Sequence, residues 1–228
     1  VRAAVYVAGA GVSEKELQIA EGRGSDLAGA LHGAEQRLGR PLFCAQNGLL
    51  LIEEGTARRR LGEILAFFAA ERLSRPATAV FACPAAEEDF LFDGQRLSGL
   101  IGALGRRRNG GADGLTPELY QVNLARGGEE PLYALPCLHF SAAGAETASL
   151  LLLRGDGGEL ALTGGEMQLA EILLGARDTL WLEADGKSAA LVGLRCRAEL
   201  AAGAQPVLDL LLCGEVRQNP AGLPDAEL

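Results

Sequence analysis

The chain has 228 residues, 48% hydrophobic and 22% charged, a globular composition long enough for one large domain or two of ordinary size. Its 21 basic and 30 acidic residues leave a formal charge of −9, which argues against a nucleic-acid face and against electrostatic docking on anionic lipid. No run approaches the roughly 20 apolar residues that cross a bilayer as a helix, so membrane attachment has to come from a lipid or a partner chain.

Residues 4–8 and 17–20 read as strands. Behind Ser25, a good N-cap, Leu27, Ala30, Leu31, Ala34 and Leu38 recur at helical spacing. Gly39-Arg40-Pro41 ends that helix, because proline bars helical geometry at the residue before it. The continuous run Leu49-Leu50-Leu51-Ile52 predicts a strand covered on both faces. Leu61, Ile64, Leu65 and Phe68 restore the helical period. Residues 78–83 read as a further strand and residues 87–104 as one or two helices. The stretch 106–114, three arginines followed by Asn, Gly and Asp, is linker chemistry and marks a domain border.

Beyond the border, Thr116-Pro117-Glu118 predicts a helix start, with threonine capping and proline at the first helical position. Residues 150–154 and 159–162 flank Gly155-Asp156-Gly157-Gly158, a hairpin turn signal. Thr163 and Glu166 form a capping box for a helix running to about Gly175. Residues 180–184 and 189–197 flank a second hairpin at Asp185-Gly186-Lys187, and residues 207–213 supply a last strand. The expected fold is α+β: an N-terminal mixed α/β layer domain over 1–112, then a smaller, largely antiparallel sheet domain with one or two helices over 113–218. Residues 219–228, with Pro220, Gly222 and Pro224, read as a linker or disordered tail.

Candidate chemistry is sparse. Cys44, Cys83, Cys137, Cys196 and Cys213 form no Cys-x-x-Cys pair, so a zinc site is not expected, and their odd count argues against a dense disulfide framework. Each sits among apolar residues and reads as a buried thiol. Gly9-Ala10-Gly11 after the first strand invites a dinucleotide reading, but Glu14 stands at the third glycine position and would repel a pyrophosphate. His32 falls off the apolar stripe of its helix and reads as a surface residue. Cys137 and His139, two apart, share a strand face, yet such neighbours rarely meet as a nucleophile–base pair. Glu87, Glu88 and Asp89 radiate to different sides of a helix and read as helix-start charges; Glu129-Glu130 read as a solvated loop. The basic triplets Arg58–Arg60 and Arg106–Arg108 are local features. The first sits at a helix start, where positive charge is unfavourable, and is either a solvated face or a docking contact for an acidic partner. No catalytic, cofactor-binding or metal-binding residue is assigned.

Two stretches carry a family resemblance. Leu38-Gly39-Arg40-Pro41-Leu42-Phe43, Leu49-Leu50-Leu51-Ile52-Glu53 and Glu63-Ile64-Leu65-Ala66-Phe67-Phe68 form the first; Leu150-Leu151-Leu152-Leu153, Gly158-Glu159-Leu160 and Leu162-Thr163-Gly164-Gly165-Glu166 form the second. In order and spacing across residues 1 to 216, the chain resembles the Ger(x)C family, the lipoprotein C subunits of spore nutrient-germination receptors. The resemblance implies a non-enzymatic, extracytoplasmic receptor subunit contributing to nutrient sensing or receptor assembly, without cofactors. It implies membrane-embedded receptor subunits as partners and a place on the outer face of the spore inner membrane. Attachment there would come only through N-terminal lipidation, which is missing from this chain; family members also carry a third, C-terminal domain, so the chain reads as either truncated or a divergent two-domain member. The family offers no catalytic or ligand residues to carry over. A generic extracytoplasmic module for a small ligand or a protein partner is the second reading, and an unrecognised enzyme the third.

Overall fold

The computed structural model describes residues 2–8, 17–42, 48–70, 75–84, 114–126, 131–141, 144–184, 187–201 and 207–218. Strands β1 (Arg2–Ala8) and β2 (Leu17–Arg23) pair antiparallel, and helix α1 (Leu27–Leu38) packs on β2. Asp26, not the expected Ser25, caps α1: its carboxylate accepts the Gly29 amide at 2.8 Å. Both residue types can cap, and the one standing three residues before the open amide takes the role. The expected stop holds. Gly39 adopts the left-handed conformation at φ 67° and donates its amide to the Glu35 carbonyl at 2.9 Å. The Glu35 carboxylate also accepts the Leu42 amide at 2.8 Å, which ties the Gly-Arg-Pro-Leu corner to the helix it ends. Buried Ala30 and Ala34 let α1 approach β2 closely, and a Cβ at Gly22 would lie 1.8 Å from the Ala30 carbonyl oxygen. Only glycine fits there.

A five-stranded mixed sheet follows in the order β3-β4-β5-β6-β7. Strands β3 (Leu49–Glu53), β4 (Ala79–Cys83) and β5 (Leu132–Ser141) run parallel to one another, while β6 (Gly144–Arg154) and β7 (Glu159–Leu162) add as antiparallel hairpins. The expectation that the 49–52 run is covered on both faces is corrected here. β3 stands at the edge of the order and is mostly half-buried, whereas all five residues of β4 are buried. An apolar run reports how greasy a strand is; its place in the sheet depends on pairings made far away in sequence.

Helices α2 (Glu54–Ala70) and α3 (Leu119–Arg126) build the core against this sheet. Leu61, Leu65 and Phe68 of α2 meet Leu119 and Val122 of α3 and the strand residues Val80, Leu135 and Leu151. The helix expected to open at Pro117 begins at Leu119 instead. The Pro117 carbonyl accepts the Val80 amide at 3.0 Å and the Leu119 amide donates to the Thr78 carbonyl at 2.8 Å, so the chain still runs extended beside β4 at Pro117.

Packing divides the chain into one unit of residues 1–110 and 116–162 and a second of residues 111–115 and 163–228. The border expected at 112/113 is therefore displaced. β5 pairs with β4, Ala82 opposite Cys137, so the hairpins through β7 extend the sheet of the first unit and do not found a new domain. The expected tail 219–228 lies outside the described residues.

The second unit holds α4 (Gly164–Leu173), β8 (Thr179–Ala184), β9 (Lys187–Ala201) and β10 (Val207–Gln218), with an antiparallel sheet in the order β10-β9-β8. Thr163 is the N-cap of α4, as the capping box predicts, but its side chain makes no capping hydrogen bond. β8 pairs only with residues 187–192, so the rest of β9 forms a two-stranded ribbon with β10. By register, Leu194, Cys196, Ala198, Leu210 and Leu212 share one ribbon face and Arg195, Arg197, Glu199 and Asp209 the other. The architecture is α+β, a mixed sheet with helices and a separate antiparallel sheet.

Candidate functional site

Among the described residues of the first unit, a group of ionisable side chains gathers where β3 passes directly into α2. Glu53, the last residue of β3, accepts the amides of Gly55 at 3.1 Å and Thr56 at 2.8 Å, and the Thr56 hydroxyl donates to it as well. These bonds, the Thr56 hydroxyl foremost, hold its carboxyl below the usual glutamate range against the opposing effect of burial. Glu53 thus caps α2 from the strand side. Gly55 leaves room for this, since a Cβ there would stand 2.8 Å from the Glu53 Oε1.

One turn on, Arg58 spans two carboxylates. Its Nε and Nη2 donate to Glu54 Oε1 at 3.1 and 2.6 Å, and its Nη1 lies 2.6 Å from Glu159 Oε1 on β7. The bond to Glu159, then that to Glu54, holds the guanidinium still more firmly in its charged form. The Arg58–Arg60 triplet therefore has internal employment. Arg58 fastens α2 to the last strand of its sheet and Arg60 pairs with Glu63 at 2.7 Å. That finding removes Arg58 from the docking reading of the triplet.

Cys137 closes the group. It is 3% exposed and its Sγ lies 3.7 Å from Glu54 Oε2. Burial first, then the negative charge of Glu54, pushes its thiol up to about 11. A reactive cysteine requires the opposite setting, an electropositive and accessible one. Cys137 continues the core-facing row of Tyr133 and Leu135, whereas His139 is already exposed. The pair weighed in the sequence is thus not brought together as nucleophile and base. His32, as expected, is exposed, within 3.4 Å of Glu35 and 3.1 Å of Gln36. Among the described residues no group of three His, Cys, Asp or Glu side chains is placed to hold a metal, and no helix is long and apolar enough to cross a membrane. Gly9–Gly11, Glu14, Cys44, the 87–89 acidic cluster, Arg106–Arg108 and Glu129-Glu130 lie outside the described residues.

The Glu54–Arg58 half of this cluster was legible as an i, i+4 pair. Its Glu159 half was not, because it depends on the order of strands in the sheet. What the cluster can do is structural: it caps a helix, pins it to a sheet edge and keeps a thiol protonated.

Residues 3–92 match the family described as the spore germination protein N-terminal domain. Over its full length the chain also aligns with 75% of a solved chain described as "Crystal Structure of the GerBC protein", with a TM-score of 0.58 and 10% sequence identity. At this identity the second likeness speaks for the fold, and the first speaks for the N-terminal segment. No curated protein matches the sequence. The stretches 38–43, 49–53 and 63–68 lie inside the matched segment, and the described residues of each have a local task. The first ends α1, the second carries the Glu53 cap, and the third supplies the sheet-facing side of α2.

Proposed function

We propose that this chain is a non-enzymatic, extracytoplasmic subunit of a spore germinant receptor, contributing to nutrient sensing or receptor assembly. The match of residues 3–92 to the spore germination domain carries this reading, and the GerBC-like fold over the whole chain supports it. The chemistry of the α2 cluster agrees: its thiol is buried and held protonated, and its carboxylates are engaged by arginine and helix amides. The partners are membrane-embedded receptor subunits. The chain sits on the outer face of the spore inner membrane, tethered by N-terminal lipidation.

A role in assembly draws further support from the second unit. Trp181, Val207, Leu211 and Val216 are exposed there at 47, 53, 59 and 43%, a density of open apolar surface that suits contact with other proteins better than catalysis. The test is genetic and biochemical. Spores lacking the gene should lose their response to one class of nutrient, regain it on complementation, and yield the chain with receptor subunits on affinity purification from membranes. Normal germination by the deletion strain, together with recovery of the chain alone in the soluble fraction, would refute the proposal.

A further inference from the structure

The two strands of the second unit's ribbon differ in what they offer to a further strand. Beyond residue 192, among the described residues, β9 and β10 pair only with each other, 195–201 running opposite 207–213. Two strands are marginal in water and are steadied by a third. The β9 stretch carries Arg195, Arg197 and Glu199, charges of the kind that discourage further pairing. The β10 stretch, Val-Leu-Asp-Leu-Leu-Leu-Cys, has no lysine or proline and a single charge, Asp209. It is also open: Val207 and Leu211 are 53 and 59% exposed, with Asp209 and Cys213 exposed beside them.

The single charge selects the partner. Within its own chain Asp209 stands directly opposite Glu199, a like-charge pair that weakens a ladder. Arg197 answers Glu199 at 2.6 Å, whereas among the described residues Asp209 stands in no ion pair. The cations of the same face, Arg195 and Arg197, lie opposite Cys213 and Leu211, at the other end of the stretch. An antiparallel neighbour flanked by arginines at its own 211 and 213 positions would bring them toward Asp209. β10 is itself such a strand.

We infer that β10 pairs antiparallel with β10 of a second copy over 207–213, about a two-fold axis at Leu210. The bulge between Cys213 and Glu215 ends the regular ladder, and Leu210 is the midpoint of the stretch before it. The axis runs normal to the sheet, so the charged face of one copy continues that of the other. Asp209 then lies opposite Leu211 of the second copy, on the side of its Arg195 and Arg197, and Val207 lies opposite its Cys213. An axis at Asp209 would instead set two carboxylates against each other. An edge this short buries less than a permanent dimer needs, so the pairing is weak and concentration-dependent. It is independent of the receptor reading and is measured on the purified chain.

Sedimentation under reducing conditions should show a reversible monomer–dimer equilibrium. On mild oxidation Val207→Cys should form an intermolecular disulfide with the native Cys213 of the second copy. The wild-type chain should form none there, because the pairing holds its two Cys213 residues roughly 20 Å apart. Val207→Cys/Cys213→Ser should lose the cross-link for the same reason. Asp209→Arg should weaken dimerisation about tenfold or more and leave the monomer at least as stable to denaturant, since Glu199 gains a cation opposite it. A wild-type chain that stays monomeric at every concentration overturns the inference and leaves this edge to a strand of another protein. A Val207→Cys variant that cross-links no better than wild type overturns it too, as does an Asp209→Arg variant that dimerises like its parent. Both substitutions fall at exposed positions, and the wild-type sedimentation needs neither.

Discussion

The inner strands of the five-stranded sheet in the first unit and β10 in the second are built from similar aliphatic sequence and end in opposite states. β4 is buried throughout, and Leu135, Leu138, Leu150 and Leu151 of β5 and β6 are 0% exposed. β10 is as rich in leucine, yet Val207, Leu211 and Val216 stand open and Leu210 and Leu212 are half-covered. The difference lies in the number of layers. Five strands with α2 and α3 packed on them make a closed core; among the described residues, β9 beyond residue 192 is paired with β10 alone. Composition alone does not tell a core from a contact surface.

The strongest way to break this comparison is to cut equal amounts from both sheets. Leu135→Ala should cost about 2–5 kcal/mol in chemical denaturation, the range for a leucine that leaves a cavity in a tight core. Gly22→Ala should cost less, about 1–3 kcal/mol, since α1 must move off β2 to admit a methyl group. A Gly22→Ala protein with wild-type stability would show that this approach is looser than 1.8 Å implies. Glu53→Ala should remove about 1 kcal/mol near neutral pH by uncapping α2. The pH dependence follows from the lowered carboxyl. Its stabilisation is fully present above the ordinary glutamate value of about 4.3 and is lost as the pH falls through the lower folded value. The gap between wild type and Glu53→Ala should therefore narrow in acid, and a gap that widens would contradict the capping role. Leu211→Ser, on the open ribbon, should change stability by no more than about 0.5 kcal/mol. If it costs as much as Leu135→Ala, the ribbon is covered in solution and the contrast between the sheets disappears.

How far the fold was readable depends on the range of the interaction that sets each part. The end of α1 at Gly39, the periodicity of α2 and the turn between β6 and β7 follow from neighbours a few residues apart, and all were legible. Asp26 displaced Ser25 as a cap, and Pro117 yielded to Leu119 as a helix start, because competing hydrogen bonds, the second of them to β4, shift boundaries by one or two residues. The place of β3 at a sheet edge and the membership of β5–β7 in the first unit were not legible, since each depends on which distant strand pairs with which. At the candidate site the same divide runs through one side chain. The bond from Arg58 to Glu54 is a helical neighbour contact, and its bond to Glu159 exists only once the sheet has assembled.

By itself, then, the sequence determined α1, α2 and α4, the turn between β6 and β7, and the α+β class. Tertiary structure alone decided which leucines became core and which stayed open, where the two units divide, and that Cys137 sits against Glu54 with its proton held fast. The physical reason is that backbone propensity, caps and periodicity act within a turn or two, whereas burial and the field around a buried charge are summed over residues that only folding brings together.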